Sequence, residues 1–115
     1  MSRFVVLIYE DEAIWAAADE ALQAEYFRQH REYADRAAEH GITIVASEAL
    51  QRVATARTLR RADGEATVTD GPFAETAEQL GGFYLLDAPD AETVLKHAQL
   101  LPVHYTLEVR EIMQV

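Results

Sequence analysis

The sequence predicts an α+β fold, and three observations carry that reading. An uninterrupted apolar strand opens the chain, two helical stripes alternate with further strands, and an Asp-Gly turn joins two short β-rich runs in the middle. The resulting order, β-α-β, hairpin, β-α-β, is that of a ferredoxin-like sandwich with an inserted β-hairpin, in one domain spanning residues 1–115.

Each element has its own signal. "RFVVLIY", Arg3 to Tyr9, is apolar on both strand faces, which predicts a central strand covered on both sides. "EDEAIWAAADE" then changes into Ala-rich helix formers, with acids at the front where the helix dipole favours them. From Asp19 to His40 the residues Leu22, Tyr26, His30, Tyr33 and Ala37 form one helical stripe, ended by Gly41. Ile42 to Ser47 is a second strand. Ala56–Arg61 and Glu65–Thr69 read as a hairpin turning at Asp63-Gly64. "GGFYLLD" from Gly81 is the next strand. Asp90 caps a helix with the stripe Ala91, Val94, Leu95, Ala98 and Leu101, which Pro102 stops. The last strand, "YTLEVREIMQV", alternates, with Tyr105, Leu107, Val109 and Met113 inward and Glu111 interrupting them. Two helices cover only one face of such a sheet. The doubly apolar first strand therefore predicts a homodimer, sheet against sheet.

Bulk properties narrow the functional classes. The 115 residues suffice for one core. A net charge of −10 repels polyanions, which argues against nucleic acid as a partner. The absence of cysteine removes disulfides, thiolate catalysis and Cys-based metal sites. No apolar run reaches membrane-spanning length, and the short one at the N-terminus reads as a strand and not a signal peptide, so the expected location is cytoplasmic. Arg52, Arg57, Arg60 and Arg61 form the one basic cluster, read first as a charged strand edge that discourages aggregation.

His30 is the chemical candidate. It lies on the apolar stripe between Tyr26 and Tyr33, where desolvation lowers an imidazole pKa and suits it to act as a general base. The bland alternative is a core histidine satisfied by a tyrosine hydroxyl. His40, His97 and His104 show no ligand spacing, so no metal is expected, and the acidic run Glu10-Asp11-Glu12 reads as a solvated helix start. In "TDGPFAET", Thr69 to Thr76, turn chemistry accounts for Asp70, Gly71 and Pro72, with Phe73 plugging the core. The functional version puts Asp70 and Gly71 at a pocket rim, Asp70 as partner to His30, and Phe73 as an apolar wall. Tyr9 and Tyr84 each offer a hydroxyl to a ligand, and each is also an ordinary core tyrosine.

"LIYEDEAIW", "TARTLRR", "ATVTDGPFAET", "EQLGGFYLLD" and "LEVREI" together resemble the YCII-related family, and within it the subgroup named after its Asp-Gly-Pro-Phe motif. The resemblance implies a dimeric α+β barrel, with a small-molecule pocket between helix and sheet in each subunit. It also implies company among cofactor-free monooxygenases, cyclases, isomerases and dehydrochlorinase-like enzymes, with no cofactor needed. Some members of the subgroup accompany extracytoplasmic-function sigma factors, which adds a regulatory partner to the expectations. The family's proposed site is a His–Asp pair. Its histidine, eleven residues before the helix-ending glycine, corresponds to His30; the aspartate before the second helix's proline is replaced by Leu101.

Overall fold

β1 (Ser2–Glu10) is the hub of the computed structural model, which describes every residue from Met1 to Val115. It is followed by α1 (Glu12–Ala17), α2 (Glu20–Arg36) with a 3-10 turn at Ala37–His40, and β2 (Thr43–Ala49). A second 3-10 turn, Val53–Thr55, leads to β3 (Arg57–Ala62) and β4 (Glu65–Asp70); then come β5 (Gln79–Ala88), α3 (Ala91–Ala98) and β6 (Thr106–Glu111). β2, β5, β1 and β6 form one antiparallel sheet in that order, and β3 pairs only with β4. This is the ferredoxin-like α+β arrangement with its inserted hairpin.

The strand pattern explains the layering. Phe4, Val6 and Ile8 point to the helices and are buried, while Val5, Leu7 and Tyr9 share the opposite face and are half-exposed. Tyr33 and Ala37 from the long helix, Val94 from α3, and Tyr84 and Leu86 from β5 close the core over the first face. Caps hold the helices in place: the Asp19 carboxylate accepts from Leu22 N–H and that of Asp90 from Thr93 N–H. Gly41 ends the first helical unit at φ 70°, a left-handed conformation that glycine adopts without a Cβ penalty. The hairpin turns through Asp63 and Gly64, both at positive φ, as its sequence predicts.

Three local expectations are corrected. On α3, Ala91 and Leu95 are exposed and His97 takes the buried place beside Val94 and Ala98. The helix is rolled toward His97 because Tyr33 offers that imidazole a backbone acceptor. β6 stops at Glu111, so Met113 lies beyond the sheet and is exposed. Phe73 does not plug the core: it is 74% exposed, lying under the Arg60 guanidinium at 5.2 Å while Arg60 also donates to the Phe73 carbonyl. The "TDGPFAET" segment is instead stitched to the hairpin, with Gly71 N–H donating to Ala56 O and the Thr58 hydroxyl to Gly71 O. Gly71 sits at φ 105°, which explains the glycine.

Candidate functional site

A cavity of about 470 Å³ opens at the edge where β1 and β2 end and β5 begins, under the N-terminal half of α2. Glycines shape its floor. A Cβ at Gly82 would come within 2.9 Å of the Glu48 carbonyl oxygen, so only glycine lets β2 approach here. Gly81 is the extra residue of a bulge, since Ile8 pairs with Gly82 and Tyr9 with Leu80. A Cβ on Gly81 would crowd the Glu10 side chain at 3.3 Å. Of the two glycines read only as a strand start in the sequence, Gly81 leaves room for the Glu10 side chain and Gly82 for the β2 backbone.

Trp15, Tyr26 and Phe27 make an aromatic wall: the Trp15 ring lies edge-on to Phe27 at 5.4 Å and tilted to Tyr26 at 6.4 Å. The loop after β2 roofs the site, held by Leu50 N–H to Gly81 O and by Val53 N–H to the Glu12 carboxylate. His30 lies one turn along α2 from Tyr26, engaged on both ring nitrogens. Its Nδ1 is 2.6 Å from the Tyr84 hydroxyl and its Nε2 2.9 Å from the Tyr105 hydroxyl. Burial lowers the His30 pKa below its ordinary 6.5, so the ring is neutral at neutral pH. The same desolvation pushes Tyr84 up to about 12 and raises Tyr105 as well, keeping both hydroxyls protonated.

Three carboxylates line the site, Glu10, Glu12 and Glu48, and Glu10 is the one beside the tyrosines. Burial raises its pKa, opposed by His104, whose Nε2 lies 3.7 Å from Glu10 Oε2, and by the neighbouring Tyr105 hydroxyl. His104 is wedged between the Tyr26 and Tyr105 rings at 4.8 and 4.7 Å, its Nδ1 buried without a partner.

Of the residues singled out from sequence, the fold gathers His30, Tyr26 and Tyr84 at one cavity. Asp70 is elsewhere in the chain, at the end of β4, 91% exposed and 3.5 Å from Arg57. Gly71 and Phe73 stay with the hairpin, and Tyr9, by strand parity, faces the open side of the sheet with Val5 and Leu7. The pairing of Asp70 with His30 is therefore not made within one chain. Leu101, at the family's aspartate position, is buried in the core.

Tyr105, Glu10 and His104 join the site without having been singled out as site residues. Tyr105 carries a sequence signal, since it heads the inward set of the last strand. Glu10 carries another: it is the next even-numbered residue after Phe4, Val6 and Ile8. His104 carries none.

A ferredoxin-like chain with one bare sheet face and a histidine–tyrosine cavity under its long helix defines the class of protein. The sequence matches the YCII-related domain over residues 2–115, and the chain belongs to that family. It is also similar to an uncharacterised protein of Rhizobium meliloti (strain 1021), 35% identical over 100 residues that cover 84% of this chain and 77% of that one.

Proposed function

We propose that the protein binds a small organic molecule in the 470 Å³ cavity and moves a proton to or from it without a cofactor. The observation that carries this is a neutral imidazole suspended between two tyrosine hydroxyls at the cavity wall. With both ring nitrogens occupied, His30 acts through Tyr84. The Tyr84 oxygen takes a proton from the ligand as its own proton passes to His30 Nδ1. The imidazolium so formed is stabilised through Tyr105 by Glu10, which stands in the role of the absent second-helix acid. Proton abstraction, cyclisation and elimination all use such a step.

A screen of small carbon acids by thermal shift tests the reading, because a ligand bound only by the native state raises apparent stability. Hits are then followed for exchange of their acidic C–H into D2O. Exchange that depends on His30 and Tyr84 supports it; hits exchanging equally fast with His30→Ala or with no protein overturn catalysis.

The occupied nitrogens of His30 and the apolar Leu101 favour a second reading, a ligand-sensing dimer that does no chemistry. Binding without exchange selects it. In both readings the unit is a homodimer joined through the bare sheet face, and the Asp70-Gly71-Pro72-Phe73 segment supports placement in the subgroup named for it.

A further inference from the structure

The direction of the hydrogen bonds at the cavity wall decides what a ligand has to bring. A neutral imidazole has one N–H and one lone pair. Glu10, as a carboxylate, only accepts, and the Tyr105 hydroxyl stands beside it. The negative Glu10 carboxylate favours the Tyr105 proton turned toward it; in that orientation His30 Nε2–H donates to the Tyr105 oxygen and Tyr84 gives its proton to His30 Nδ1. Followed to its end, this relay leaves only lone pairs on its own groups, the Tyr84 oxygen, the Tyr105 oxygen and the Glu10 carboxylate, so at this end of the cavity a ligand meets acceptors. The ligand is the donor.

Charge points the same way. Glu10 is 23% exposed, and the one basic group within 4 Å of its carboxylate is the His104 imidazole, at 3.7 Å. Arg52 is the sole guanidinium in the lining, and the other ion pairs of the chain lie elsewhere. Trp15, Tyr26 and Phe27 line the same cavity, and aromatic rings attract a cation as well as an apolar body. The net charge of −10 draws cations toward the molecule as a whole.

We infer that the cavity takes an amine: a compact aromatic or aliphatic molecule whose ammonium group sits at Glu10 and the tyrosine oxygens, with its body against Trp15, Tyr26 and Phe27. This rests on reading the cavity as a ligand site, as above. A carboxylate placed at Glu10 and the tyrosine oxygens meets acceptors and is repelled.

Trp15 is the only tryptophan and lies on the wall, so its fluorescence reports occupancy. The full chain is titrated with 2-phenylethylamine, 2-phenylethanol and 3-phenylpropanoate, and thermal unfolding is followed in parallel. The amine is expected to saturate at least about tenfold tighter than the alcohol, with no response to the carboxylate. Glu10→Gln is expected to bring the amine down to the alcohol's affinity for the same variant. The order of the three probes on the unaltered protein tests the assignment even where the variant folds poorly. Tighter binding of the alcohol or carboxylate overturns the amine assignment and leaves the cavity a binding site. An undiminished amine response in folded Glu10→Gln also overturns it. Saturation by none of the three at millimolar concentration overturns both it and the cavity's role.

Discussion

His97 is a buried imidazole whose two nitrogens are both satisfied. Nε2–H donates to the Tyr33 carbonyl at 2.7 Å, which leaves Nδ1 to accept from His40 Nδ1–H at 2.9 Å. His97→Ala removes both bonds and opens a cavity between the helices, so a loss of about 2–4 kcal/mol is expected in urea denaturation. Burial lowers the pKa of His97 and of His30 below 6.5. The unfolded chain therefore binds more protons than the folded one as pH falls through that value. Stability from these residues is complete above about pH 6.5 and declines below it, levelling only under the lowered folded values. Urea midpoints at pH 7.5 and 5.5 check this, and a His97→Phe variant should show the shallower dependence. The relay makes its own residue-scale prediction: 15N spectra of labelled histidine should show His30 as the Nε2–H tautomer at neutral pH. The Nδ1–H form would reverse the wall's polarity. Glu10 is legible by parity, yet its place in an acidic run suggests a solvated helix start, because residue type outweighs parity in a single sequence.

At the scale of elements, the edge between β2 and β5 is the sensitive one. Gly82→Ala drives a Cβ into the Glu48 backbone, which has no flexible end to give way. The expected cost is about 1–3 kcal/mol, together with weakened probe binding, since the same glycine floors the cavity. Gly41 is a contrast: its Cβ would have room, 3.6 Å from Pro89, and only the left-handed backbone resists. Gly41→Ala should cost about 1 kcal/mol and leave the probe titration unchanged. Thermal unfolding and Trp15 fluorescence measured on both variants separate floor from hinge. Element order, helix caps and the hairpin turn follow from local chemistry and are legible in sequence. The roll of α3 is not, since it answers to a carbonyl on another helix.

The whole molecule is a slab of 50 × 44 × 18 Å with a radius of gyration of 16.2 Å, against roughly 13 Å for a compact chain of this length. Only 15 of 115 residues are buried, which supports the proposed second copy against the bare sheet face. Val5, Leu7, Phe83 and Leu85 lie together on the uncovered sheet face. The β3–β4 hairpin is exposed almost throughout, though an isolated two-stranded hairpin is marginal in water. Light scattering behind size-exclusion chromatography is expected to give about twice the 12.9 kDa chain mass, and Leu7→Arg to give monomer or aggregate. A wild-type monomer at micromolar concentration would remove the homodimer from both functional readings.

The sequence by itself determined the order of strands and helices, the caps, the turn at Asp63-Gly64 and the mismatch between a doubly apolar first strand and two helices, because each rests on neighbouring residues or on a regular period. Only the tertiary structure decided that His30 meets Tyr84 and Tyr105, 54 and 75 positions away, that Glu10 stands beside Tyr105, and that Asp70 stays with Arg57. Hydrogen bonds depend on the placement of side chains, to within a fraction of an ångström, on elements far apart in the chain. No local pattern carries that information.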